Sequence, residues 1–221
     1  MQNMSCKIYM DHAATTEMLP QVRKAMEPYL MEEYGNASTS YEMGRRTREA
    51  LEGAREQIAM LIKAKPEEIF FTSGGSESDN WVIKNVAAEK KEKGKHVITS
   101  KIEHHAVLRS CEYLEKLGYE LTYLDVDAYG VIDLAQLREV LREDTTLVSV
   151  MTGNNEIGTI QRIKEIGQIA HQKNIVFHTD AVQAIGNIKI DVQKMNIDML
   201  SMSAHKFYGP KGIGALYVKD G

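Results

Sequence analysis

The chain has little cysteine. Among its 221 residues only Cys6 and Cys111 occur, far apart. Two isolated thiols exclude a disulfide framework and a cysteine-based zinc site, and they suit a reducing compartment, here expected to be the cytoplasm. Long apolar runs are missing too, so no membrane-spanning segment is expected. The start, MQNMSCKIYMDH, lacks the apolar stretch of a signal peptide. There is no basic block and the net charge is −4, which argues against nucleic acid or a membrane as partner. Seven histidines occur without a His-Glu-x-x-His pattern, and no metal site is expected. Internal repeats, low-complexity segments and linkers are also missing. The length and a hydrophobic share of 43% fit one large soluble domain or two small ones. Twelve methionines are many, and core filling accounts for them besides the initiator.

The periodicity divides the chain into alternating elements. Lys7 to Met10 reads as a small strand, and Asp11 to Thr16 as a loop. Leu19 to Glu33 reads as a helix, with Pro20 in its first turn, where proline is tolerated, and Pro28 disturbing it later. Tyr34 to Thr39 is a turn. The longest helical pattern runs from about Ser40 to Lys63, with Leu51, Ala54, Ile58, Leu61 and Ile62 on one stripe. After Pro66, strands at Ile69–Thr72, His96–Thr99, Tyr119–Leu124, Leu147–Met151, Ile175–His178, Met199–Met202 and Ile213–Val218 are expected. Between them lie a helix that follows Ser73-Gly-Gly-Ser-Glu77 and runs through about Lys91, and helices over His104 to Leu117, Leu134 to Leu141 behind an Asp133 cap, and Ile160 to Gln172. Strand–helix alternation of this kind implies a mostly parallel sheet covered on both faces.

Chemistry-bearing residues follow the strand ends, where open α/β sheets bind ligands. Ser203, His205 and Lys206 follow the Met199–Met202 run. A lysine there is a nucleophile once desolvation lowers its pKa, and its main use is a Schiff base with an aldehyde such as pyridoxal phosphate. Thr72-Ser-Gly-Gly-Ser-Glu77 opens a helix, so Gly75, Ser76 and the helix amides can meet a phosphate; the plain alternative is a tight turn. His104 and His105 offer an imidazole to stack on a ring or to serve as a catalytic acid or base; the plain alternative is a helix cap. Asn154 and Asn155 offer amide donors. Asp180 at the end of a buried strand needs a cation, and a pyridinium is one; the alternative is a helix cap. Gln183 can reach a ring oxygen.

The motifs YMDHAATT, GNASTSYEMGRRTREAL, IFFTSGGSESDN, HVITSKIEHHAVL, NNEIGTIQ, FHTDAVQAIG and SMSAHKFYGPKGIGALYV run through nearly the whole chain. Together they resemble fold-type I pyridoxal-phosphate enzymes of the class V aminotransferase group, and within it cysteine desulfurases. The resemblance implies an α/β three-layer sandwich whose seven-stranded sheet is mostly parallel, with the last strand antiparallel. Residues 1–18 would be an N-terminal segment of small-domain strand and active-site loop, and 19–221 the cofactor-binding large domain. It implies that Lys206 carries pyridoxal 5′-phosphate as a Schiff base, that Asp180 pairs with the pyridine nitrogen, and that His104 stacks on the ring. Asn155 and Gln183 would contact the ring hydroxyl and its surroundings; Gly75, Ser76, Ser203 and His205 would hold the phosphate.

The implied activity is conversion of L-cysteine to L-alanine with transfer of sulfur to an enzyme thiol, for iron–sulfur cluster assembly or thiolation. A homodimer and sulfur-acceptor or scaffold proteins are the implied partners. Selenocysteine lyases, aminotransferases and an inactive scaffold are the rival readings. Ser76 stands where many relatives have threonine, and Ala204 where many have glycine. The relatives continue beyond this chain's last strand with a small domain, an acceptor cysteine and a carboxylate-binding arginine. Neither Cys6 nor Cys111 sits in a matching motif, so the 221 residues alone are expected to lack turnover.

Overall fold

The computed structural model describes residues 8–220. Seven strands form one sheet: β1 (Ile69–Thr72), β2 (His96–Ser100), β3 (Glu120–Leu124), β4 (Thr145–Ser149), β5 (Val176–Asp180), β6 (Met199–Ser203) and β7 (Gly214–Val218). Their order across the sheet is β1-β7-β6-β5-β4-β2-β3. Only β7 runs against its neighbours, between β1 and β6; the other pairings are parallel. Among the described residues six α-helices accompany it: α1 (Pro20–Met31), α2 (Glu42–Ile62), α3 (Gly75–Glu89), α4 (His105–Lys116), α5 (Leu134–Val140) and α6 (Ile163–His171).

The two-residue period of the strands builds two cores. Val97, Leu147 and Leu216 face α3 and α4, where Val82, Ile83, Val86, Val107, Cys111 and Leu114 meet them. Their neighbours Ile98, Val148 and Tyr217 face the other way, onto Ile62, Leu137, Ile166 and Ile169 from α2, α5 and α6. A strand buried on both faces must be apolar on both, which is why these runs do not alternate with polar residues. Local chemistry sets the helix starts. The Asp133 side chain accepts the Ala135 N–H at 2.8 Å and caps α5. Pro20 occupies the first turn of α1.

Several expectations shift. β4 begins at Thr145 and stops at Ser149; Val150 and Met151 are buried but lie past the ladder. α6 starts at Ile163, because Ile160 forms a β-bridge with Gly153 instead and is exposed. Lys7 lies outside the described residues, and Ile8 to Met10 form no strand. α1 continues through Pro28 to Met31. The α2 stripe is corrected most. Ile62 is buried and Ile58 packs on the core, but Leu51, Ala54 and Leu61 are exposed. Only the last turns of α2 reach the sheet, so the apolar stripe outruns the surface that could cover it. The methionines divide as well: Met151 and Met202 are core, whereas Met10, Met31 and Met60 are exposed.

Candidate active site

The sequence-proposed residues converge on one cleft of about 390 Å³ at the carboxyl end of the parallel strands. Gly75, Ser76, His104, Asn155, Asp180, Gln183, Ser203, His205 and Lys206 all line it. The volume falls in the range of small-molecule sites. It extends into a shallower groove beside the Ser73–Glu77 loop, Lys211 and Gly212.

The loop after β1 is shaped for close backbone approach. Gly74 has φ +154° and ψ 177°, a region open essentially to glycine alone. A Cβ on Gly75 would stand 2.5 Å from Val182 Cγ2. Two glycines therefore let the chain turn and start α3 against the loop after β5. The first amides of α3 have no acceptor within the helix and face the groove with the Ser76 hydroxyl. Glu77 folds back to accept the Ser73 N–H at 2.5 Å.

β5 delivers Asp180, which is buried. Its Oδ1 accepts the Val182 N–H at 2.9 Å. Burial raises its pKa, while that hydrogen bond, His104 and Lys206 pull it back down. His104 is the N-cap of α4: its Nδ1 accepts the Ala106 N–H at 3.1 Å. That bond makes Nδ1 the acceptor and leaves Nε2 to carry the proton of the neutral ring. So the capping and the site readings of His104 hold together. A cap role for Asp180 in a following helix is not seen; a turn follows β5.

β6 ends in Ser203, and a short 3-10 turn, Ala204–Lys206, follows. Lys206 is half-buried, and desolvation lowers its pKa against the opposing pull of Asp180, Asp11 and Glu156. The N-terminal segment crosses this turn. The Ala13 carbonyl accepts from Lys206 Nζ, and from Gln183 Nε2 at 2.7 Å. Thr15 Oγ1 lies 3.0 Å from His205 Nδ1, and the Thr16 N–H and hydroxyl both donate to the His205 carbonyl. Asn155 donates to Glu156 at the rim, whereas Asn154 is structural: its Oδ1 accepts the Glu156 and Ile157 N–H groups.

Four features were not read from the sequence. His178 is fully buried between the Ser149 hydroxyl (2.8 Å) and the Ser201 hydroxyl (3.0 Å), and burial pushes it down to about 3. Glu103 is buried, accepts from Ser100 Oγ at 2.5 Å and from the Met151 N–H, and is pushed by burial up to about 8. Asp79 is buried on the inner face of α3 and lines the cleft. The Ala13 carbonyl is the fourth. One signal was available for Asp79: it falls on the same helical stripe as Gly75, Val82, Ile83 and Val86, where an acid is out of place.

The architecture defines a class: an α/β domain with a half-buried lysine, a buried carboxylate and a helix N-terminus gathered at the strand ends. The chain belongs to the class-V aminotransferase family, whose pattern matches residues 8–221. The cofactor of that family is pyridoxal 5′-phosphate. Over 218 residues the chain is 54% identical to a protein of Clostridium botulinum named cysteine desulfurase IscS, covering 99% of this chain and 55% of that one. A protein of the same name from Methanosarcina thermophila is 56% identical over 214 residues, 97% and 53% of the two chains. The chain thus spans about half the length of these relatives. Among solved structures, one described as SspA in complex with cysteine aligns with TM-score 0.94 at 45% identity, over 97% of this chain and 62% of that one. A NifS-like protein aligns with TM-score 0.95 at 41% identity, over 97% and 60%.

Proposed function

We propose that this chain binds pyridoxal 5′-phosphate and forms the cofactor-binding part of a cysteine desulfurase. The observation that carries the reading is the convergence of Lys206, Asp180, His104 and the N-terminus of α3 on one cleft. The residues fit the group by their chemistry. Lys206 offers an amine that burial makes easier to deprotonate, and so a covalent anchor. Asp180 offers a buried carboxylate for a ring cation. His104, held by its cap, offers a neutral ring to stack on the cofactor. Gly75, Ser76, Ser203, His205 and the N-terminus of α3 line the groove where a phosphate would sit. Asn155 and Gln183 offer donors to the ring hydroxyl.

When bound, the cofactor supplies an electron sink for carbanion chemistry at an amino acid. The chain's residues then have separable tasks. Asp180 keeps a positive charge at the ring nitrogen. His104 excludes water from one ring face. Lys206 Nζ would hold the cofactor and offers the amine that could carry a proton at the site. The substrate is L-cysteine, and the sulfur passes to a cysteine thiol and on to an acceptor or scaffold protein. Cys111 is not suited to receive it, because burial pushes its thiol up to about 12; Cys6 lies outside the described residues. We place the working protein in the cytoplasm as a homodimer. Among the described residues no helix is long and apolar enough to cross a membrane.

Borohydride reduction of the chain saturated with pyridoxal phosphate, followed by peptide mapping, should place the adduct on Lys206. An adduct on another lysine, or none in a folded sample, rejects the site. Alanine release from L-cysteine should stay at background for the 221-residue chain alone. Robust turnover that a Cys6→Ser/Cys111→Ser double variant abolishes would make one of these thiols the acceptor.

A further inference from the structure

The Asp79 carboxyl lies under the floor of the cleft and is only 1% exposed. Its Oδ1 finds no hydrogen-bond partner among the described residues. Oxygens of Asp79 and Asp180 and a ring nitrogen of His104 lie within 4.8 Å of one another. On the other side, His178 Nε2 is 3.7 Å from Asp79 Oδ1. Two buried carboxylates this close cannot both ionise without a cation between them. Their surroundings differ. Asp180 has the Val182 N–H, with His104 and Lys206 facing it. Asp79 has an unpaired oxygen and a histidine whose two nitrogens are already held by the Ser149 and Ser201 hydroxyls.

We propose that Asp79 is a positioning residue: a neutral carboxylic acid beneath Asp180, which leaves the buried floor of the cleft with one carboxylate for the cofactor's ring nitrogen instead of two. The groups that face Asp79 are Asp180 and His178 from β5, Ser201 from β6, Glu103 from the loop after β2 and His104 at the start of α4. Burial and the Asp180 charge both raise the Asp79 pKa well above the usual carboxylate range, and only the Ser201 hydroxyl opposes them. Burial also keeps His178 unprotonated, so the proton stays on Asp79. The consequence is electrostatic. A second carboxylate would strengthen the pull on any cation but would stand unpaired whenever the cleft is empty. A neutral acid supports Asp180 at no such cost.

The purpose of this arrangement rests on the pyridoxal-phosphate reading; the protonation itself does not, because it is measured on the free protein. Aspartate-selective carboxyl ¹³C NMR of the ligand-free chain should show the Asp79 signal, assigned with Asp79→Asn, in its protonated position at pH 7. An Asp79 carboxyl that titrates near the ordinary aspartate value of about 4 overturns the proposal. Imidazolium at His178 at pH 7 overturns it too. If Asp79→Asn does not fold, Asp180→Asn supplies the assignment by identifying the Asp180 signal: the parent must show an aspartate carboxyl protonated at pH 7 that is not Asp180, and none in the parent overturns the proposal. With cofactor present, Asp79→Asn should bind pyridoxal phosphate within about threefold of the parent, because a neutral amide replaces a neutral acid. A loss of about tenfold or more, matching that of Asp180→Asn, would show that Asp79 contributes charge. Failure of both parent and variant to bind would reject the cofactor reading and leave the protonation result standing.

Discussion

At the scale of single residues, the site depends on environments that push like groups apart. Asp180 and Asp79 are both buried aspartates on one cleft, yet only Asp180 is backed by an N–H donor, with Lys206 and His104 facing it. The same logic makes Asp180→Asn a sharp test of the cofactor reading. Asparagine is nearly isosteric but supplies no charge. The ring nitrogen of bound pyridoxal phosphate should hold its proton at least about tenfold more weakly in the variant. Absorbance titration of both proteins checks this, and identical titrations would sink the pairing. Lys206, Asp180 and His104 were legible in the sequence, because each follows a strand and sits in a short, dense motif. His178 and Glu103 were not. A histidine inside an apolar strand reveals its role only when Ser149 and Ser201 arrive on either side, from strands nearly thirty residues before and over twenty after it.

At the scale of elements, helices are held by the faces they bury, and the tightest contacts involve small residues. α6 lays Ile163, Ile166 and Ile169 on the sheet, as its period requires. Gly167 lets the same helix approach the turn before β6: a Cβ there would stand 2.3 Å from the Met195 carbonyl oxygen and 2.8 Å from that of Asn196. Those neighbours are backbone and yield only if the turn moves. Gly167→Ala should therefore destabilise the fold by about 1–3 kcal/mol despite alanine's better helix propensity. Urea unfolding measures it, and an unchanged or raised midpoint would show that the turn is loose. The exposed side of α2 teaches the complementary lesson. Its sequence period marks an apolar stripe, but the period cannot say whether a partner surface exists along the whole length.

At the scale of the whole molecule, buried titratable groups tie stability to pH. Glu103 is raised to about 8 by burial, and Asp79 is also raised. The folded state holds these protons more tightly than the unfolded chain, so their contribution is complete at low pH and is lost as pH rises toward the folded value. His178 acts in the opposite sense: its pKa is depressed to about 3, so its burial favours folding only above the unfolded histidine value. Below about pH 6.5 the two effects oppose each other; above it only the carboxyls change. Stability should then fall between pH 6.5 and 8, by up to about 2 kcal/mol from Glu103 alone. Denaturant unfolding at the two pH values tests this. Glu103→Gln should flatten the slope, and a rise in parent stability over that range would contradict the account.

The sequence by itself marked the seven strands of the sheet along the chain, the helices between them and the residues that follow strand ends. Those depend on local periodicity, turn chemistry and motif, all of which act over a few residues. It also determined that Lys206 and Asp180 would meet, because parallel strands bring their carboxyl ends to one edge of the sheet. Only the tertiary structure decided the rest. It set which apolar stripe found a cover, as α2 shows, and which carboxyl of a close pair keeps its proton. It also laid the Ala13 carbonyl over Lys206 and Gln183. The physical reason is common to all three. Burial, and the pKa values it sets, are properties of what surrounds a group, and those surroundings come from residues distant in the chain, which no local pattern encodes: the Ala13 carbonyl lies 170 positions from Gln183 and 193 from Lys206.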